Sequence, residues 1–116
     1  MKKKNIIRKN TEFTRIIKNS ESFKYKDYII YNEMLNSGNY KFGISVSKKI
    51  GNAVTRNKLK RQIKSIIDAK SYEKSFNCII ILRKGILKKD FSLMQKELYD
   101  AFIILNIIKE DNSEKK

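Results

Sequence analysis

Between Ser45 and Lys64 the chain reads SVSKKIGNAVTRNKLKRQIK, with seven Lys or Arg side chains and no carboxylate. The acid-free stretch is longer still, from Met34 to Ile67, so nothing along it repels phosphate. Arginine presents a planar fork that meets two phosphate oxygens at once, whereas lysine is a point charge. The chain has only five arginines, and two of them, Arg56 and Arg61, fall within six residues of this segment. Read as a helix, the segment puts Leu59, Ile63, Ile66 and Ile67 on one arc and Asn57, Lys60, Arg61 and Lys64 on the other. Such a polar face follows a folded RNA backbone by charge and hydrogen bonds, reading shape rather than sequence. Arg56 falls toward the edge of the apolar arc, and the helical wheel leaves its direction open. A basic amphipathic helix alone also fits a solvated face or a membrane-surface helix.

Candidates for catalysis are absent. There is no histidine, which excludes Cys/His metal sites and triads with an imidazole base. The single cysteine, Cys78, opens the apolar run CIIIL and reads as a buried, inert thiol. Glu12, Asp27, Glu33 and Asp68 are scattered singly, without the clustering that a protein-held two-metal phosphodiesterase needs. Twenty-seven basic residues less 12 acidic ones give a net charge of +15, a self-repulsion best tolerated beside a polyanion. Nucleic acid is the expected partner class.

The chain's 116 residues fit one RNA-binding domain spanning 1–116, with no repeat, low-complexity tract or linker. Its apolar runs are too short to span a bilayer and its basic start lacks a hydrophobic region, so a cytoplasmic location is expected.

The elements that must position the basic segment follow from pattern. Asn10 or Thr11 caps a first helix ending near Ser20, with Phe13, Ile16 and Ile17 on one face. Ser22 to Lys26 adds a short strand. The runs DYIIYNEML (27–35) and YKFGISVS (40–47) read as strands, joined through Asn36-Ser37-Gly38-Asn39 into an antiparallel hairpin. Gly51-Asn52 ends the second of these and opens the basic helix, which runs to about Ala69. CIIILR is a buried strand. Ser92 and Gln95 form a capping box for a last helix whose core face is Met94, Leu98, Ala101, Phe102 and Leu105. The tail, residues 109–116, should fray.

Taken together, the basic amino terminus, the element order and the central segment closely resemble the bacterial ribonuclease P protein family. Its signature is matched by Lys48, Lys49, Ile50, Gly51, Asn52, Ala53, Val54, Arg56, Asn57, Lys60 and Arg61. Lys64 stands where the family usually has arginine, leaving a point charge for a fork. The resemblance runs from Arg8-Lys9-Asn10 to the last helix. It implies an α+β fold, an α-β-β-β-α-β-α sandwich with a mostly antiparallel sheet and a left-handed β-α-β crossover.

For function, the resemblance implies the protein subunit of ribonuclease P, with no catalytic residue of its own and cleavage by an RNA subunit that mainly holds its own Mg²⁺. It assigns Lys48, Lys49, Asn52, Arg56, Asn57, Lys60, Arg61 and Lys64 to RNA binding. Phe13, Ile17 and Tyr31 are assigned to a cleft between first helix and sheet that takes the 5′ leader of precursor tRNA, apart from the basic helix. The family often has an aromatic at Ile17, so stacking there gives way to van der Waals contact. Helical periodicity alone makes Phe13 and Ile17 equally good core residues. The implied partners are the catalytic RNA and precursor tRNA, with no membrane and no obligate protein partner. From another class, a structural ribosomal or RNA-assembly protein shares the size, charge and fold type. The RNA that co-purifies distinguishes the two.

Overall fold

The computed structural model describes residues 1–109, so the expected frayed tail lies outside the described residues beyond Lys109. Four strands, β1 (Ser22–Tyr25), β2 (Tyr28–Met34), β3 (Lys41–Ser45) and β4 (Phe76–Leu82), make one sheet in the order β1-β2-β4-β3. The β1/β2 and β2/β4 pairs are antiparallel, and β3/β4 is parallel. The expected hairpin between the second and third strands is therefore wrong: β4 inserts between them. The reason lies in β4, whose residues from Phe76 to Ile80 and Leu82 are all buried. A strand apolar on both faces gains most at the centre of a sheet, where both faces are covered. The amino-terminal segment covers part of the free edge of β3 through an Ile6–Phe42 bridge and an Ile7 N–H to Phe42 O bond of 2.9 Å.

Helices α2 (Ala53–Asp68) and α3 (Phe91–Ile104) pack on one face of the sheet, and α1 (Asn10–Asn19) on the other. The larger core joins Leu59, Ile63, Ile66 and Ile67 to Met94, Leu98 and Phe102 over Tyr28, Phe42, Cys78 and Ile80. The smaller one sets Ile16 of α1 over Ile7 and Ile79. Every apolar residue expected on the α2 arc is buried, because a 3.6-residue period is directly visible in sequence.

The helix starts are more informative than pattern allowed. Asn52 caps α2, its Oδ1 accepting from the Thr55 N–H at 2.9 Å. Helix α3 begins at Phe91, so the cap is Asp90, accepting from the Leu93 N–H at 2.8 Å, and not the Ser92 box. Gln95 instead reaches Tyr99 one turn on. For α1 the cap position is Lys9, without a side-chain bond, since Asn10 is already helical. At the far end of α2, the hydroxyls of Tyr72 and Tyr99 each donate at 2.7 Å, to the carbonyls of Ile67 and Ile66. These satisfy last-turn acceptors and pin the basic helix to its neighbours.

Opposite each other in the β2/β4 register, Asn77 donates to Glu33 Oε1 at 2.9 Å, and Arg15 of α1 bonds the same carboxylate at 3.1 Å. The Asn77 hydrogen bond, then Arg15, hold the Glu33 carboxyl below its ordinary range against the opposing effect of burial. A depressed acid contributes stability above its unfolded pKa and loses it as pH falls through the folded value. Glu33→Gln is therefore expected to flatten the acid limb of a stability-versus-pH curve below about pH 4.5, read by urea titration. An unchanged acid limb would contradict the coupling.

Candidate nucleic-acid interface

Helix α2 divides its residues outside the core into two rows. Val54, Asn57, Lys58 and Arg61 face solvent, while Lys60 and Lys64, one turn apart, are half-buried and turn toward α1. Lys48 and Lys49 are exposed in the turn that leads into the helix, tightened by an Ile50 N–H to Ser47 O bond of 3.1 Å. Arg56 curls back, its Nε donating to Gly51 O at 3.2 Å, which resolves the direction the wheel left open. Asn52 is exposed, but its side-chain oxygen is committed to the helix cap, leaving its amide N–H groups to meet a partner.

The acids are largely spent elsewhere. Glu12 pairs with Lys41 at 3.6 Å, Asp27 with Lys89 at 2.8 Å, Glu33 with Arg15 at 3.1 Å, and Asp68 with the Met1 ammonium at 2.8 Å. Among the described residues, no salt bridge involves Lys48, Lys49, Arg56, Lys58, Lys60, Arg61 or Lys64. Their mutual repulsion is relieved by a polyanion and by nothing within the described chain.

A cleft of about 600 Å³ lies between α1 and α2, across the β3 edge. Phe13, Ile17, Ser45, Lys60, Lys64 and Arg8 line it. Phe13 and Ile17, left between core and cleft by their periodicity, are half-buried and serve both, packing on Ile16 and Ile79 while bordering open space. The expectation that this surface stands apart from the basic helix is corrected, because Lys60 and Lys64 form its opposite wall. Tyr31 packs on the same Ile7, Ile16 and Ile79 cluster as Phe13 and Ile17, under α1, but does not line this 600 Å³ space. Its register partner Ile79 is also that of Gly43, the residue beneath Phe13. Tyr31 thus lies two strands from Gly43, about 10 Å away at ordinary strand spacing. On its own side it shares a sheet face with half-exposed Ile29 and Ile81, which are register partners. Arg8, Ser45, Ile29 and Ile81 are surface residues that sequence reasoning missed as site candidates. The two-residue alternation counted from Tyr31 points to Ile29, but the unbroken apolar run of β4 hides which face Ile81 takes.

Among the described residues this arrangement of cations and apolar side chains is suited to binding and orienting an anionic partner. Among the described residues no three His, Cys, Asp or Glu side chains gather as a metal site. Burial pushes the Cys78 thiol far above its usual range, which removes it as a nucleophile. No helix among the described residues is long and apolar enough to cross a membrane.

Comparison with known proteins matches this geometry to one family. A family model described as ribonuclease P matches residues 1–106. The ribonuclease P protein component of Mesoplasma florum is 44% identical over 101 residues, covering 84% of this chain and 92% of the relative. That of Streptococcus pneumoniae is 35% identical over 118 residues, covering 100% and 96%. Among solved structures, the Staphylococcus aureus RNase P protein superposes with a TM-score of 0.81 at 32% identity, covering 89% of this chain and 96% of that one. The Thermotoga maritima RNase P protein gives 0.74 at 26% identity, covering 82% and 92%.

Proposed function

Because the chain belongs to the ribonuclease P protein family and is a subunit of that tRNA 5′-processing enzyme, we propose that it works by two adjoining surfaces. The outward row of α2, with Asn57 and Arg61, docks on the catalytic RNA, helped by Lys48, Lys49, Arg56 and Asn52. The cleft takes the single-stranded 5′ leader of precursor tRNA: Phe13 stacks on a base, Ile17 adds van der Waals contact, and Lys60 and Lys64 hold the backbone. Tyr31, on the neighbouring part of the sheet, meets the leader only where it runs beyond the cleft. The observation that carries this reading is the set of unneutralised α2 cations forming one wall of a cleft whose other wall holds Phe13. Stacking on an aromatic face tolerates any base, which suits leaders of varied sequence. A structural ribosomal role is set aside by the family membership.

In this reading the Mg²⁺ that the cleavage needs sits mainly on the RNA, and the protein raises affinity for substrate and metal. Protein rigorously freed of RNA is then expected to leave precursor tRNA intact at any Mg²⁺ concentration. Added to its RNA, it should lower the Mg²⁺ needed for half-maximal cleavage. Specific cleavage by the RNA-free protein would refute the assignment.

A further inference from the structure

We propose that Gly43 is a positioning residue for substrate binding: it is the seat that sets how deeply the Phe13 ring lies in the cleft. The proposal rests on the leader-binding reading of that cleft. Glycine is a poor strand residue, and inside a strand it marks close approach by something else. Here the approaching group is visible. A Cβ on Gly43 would fall 2.6 Å from Phe13 Cζ, 3.1 Å from Phe13 Cε1 and 3.2 Å from Ile7 Cβ. Gly43 shows no positive φ, so its backbone is ordinary strand that alanine adopts freely. What the position requires is space.

The two neighbours differ in their freedom to give that space. Ile7 is 3% exposed and its N–H is bonded to Phe42 O at 2.9 Å, so its Cβ is fixed. Phe13 is half-buried with its ring at the wall of the cleft, so the ring moves instead. A methyl group at 43 would displace it by about 1 Å, toward the space where a base would stack. Ring height is thus set from the strand beneath, by a residue that never touches substrate.

The test is a double-mutant cycle in the reconstituted holoenzyme, reading the ratio of affinities for precursor tRNA with a leader of several nucleotides and for mature tRNA. Gly43→Ala is expected to lower that ratio about five- to tenfold, within the range of one lost stacking contact. The rate of bound precursor cleavage at saturation and the affinity for the RNA subunit should hold, which a general loss of fold would not allow. Phe13→Leu should also lower the ratio, and it removes the ring that a methyl at 43 would strike. The double variant should then match Phe13→Leu alone. An additive loss in the double variant, or an unchanged or raised ratio in Gly43→Ala, overturns the proposal. If Gly43→Ala fails to fold, the comparison of the double variant with Phe13→Leu decides by the same criterion. A Phe13→Leu protein with the wild-type ratio would instead overturn the leader-binding reading itself.

Discussion

Converting Lys48, Lys49 and Arg61 together to alanine is expected to weaken assembly with the catalytic RNA by roughly two to three orders of magnitude. Arg61 alone, exposed and unpaired within the described chain, should contribute about 1–3 kcal/mol as a charge-assisted hydrogen bond. Arg61→Lys keeps the charge and loses the fork, so it should fall between wild type and Arg61→Ala. The triple change should also lower the slope of log affinity against log salt by about two to three, since each lost phosphate contact releases fewer counterions. The fold should survive, because Leu59, Ile63, Ile66 and Ile67 carry the packing of α2 and alanine is the best helix former. Binding titrations at several salt concentrations, with circular dichroism as the control, provide the measurement. Equal slopes for wild type and the triple variant would remove the outward row of α2 and the turn before it from the catalytic-RNA interface.

The α2 face was legible in sequence because both of its properties are local. Apolar residues at 59, 63, 66 and 67 declare a helical period, and the cations between them have nowhere else to go. What was not legible is how α2 meets α1. Phe13 and Lys60 are 47 positions apart in the chain, and only the parallel β3/β4 pairing sets their helices at one edge of the sheet. That pairing was itself hidden. The turn residues Asn36 to Asn39 invite a hairpin, and the run CIIIL reads as a buried strand without saying whose neighbour it is. Helix starts failed for a similar reason. Asp90 and Ser92 are both cap residues by type, and only the bond from the Leu93 N–H shows which one acts.

Least legible of all is a cluster of charges inside the α3 side of the core, and its removal carries the largest expected effect on stability. Lys89 Nζ lies 2.6 Å from Glu97 Oε1 and 2.8 Å from Asp27 Oδ2, and Glu97 also accepts from the Tyr28 hydroxyl at 3.1 Å. The lysine and glutamate side chains are only 12% and 9% exposed, so solvent screens them little. Burial pulls the Lys89 pKa down, but hydrogen bonds and charges from Asp27 and Glu97 together carry it above the ordinary lysine value. A raised lysine contributes stability fully present below its unfolded pKa and lost as pH rises through the folded one, so this contribution fades only in alkali.

Lys89→Ala strands Glu97 in the core with Tyr28 as its one donor, and is expected to cost about 3–5 kcal/mol at pH 7 by urea titration. The melting midpoint should fall by more than roughly 10 °C. Replacing Lys89 and Glu97 together by methionine and leucine should cost less than Lys89→Ala, since the charge then left without its lysine is Asp27, whose side chain is 28% exposed and open to water. The cluster also ties the β1–β2 turn to the segment after β4, where the Arg83 N–H bonds Asp27 O at 2.8 Å. Its work is thus on the fold and not on the RNA. At a temperature where Lys89→Ala remains folded, its affinity for the catalytic RNA should equal that of wild type, and a loss comparable to that of Arg61→Ala would place Lys89 in the interface instead.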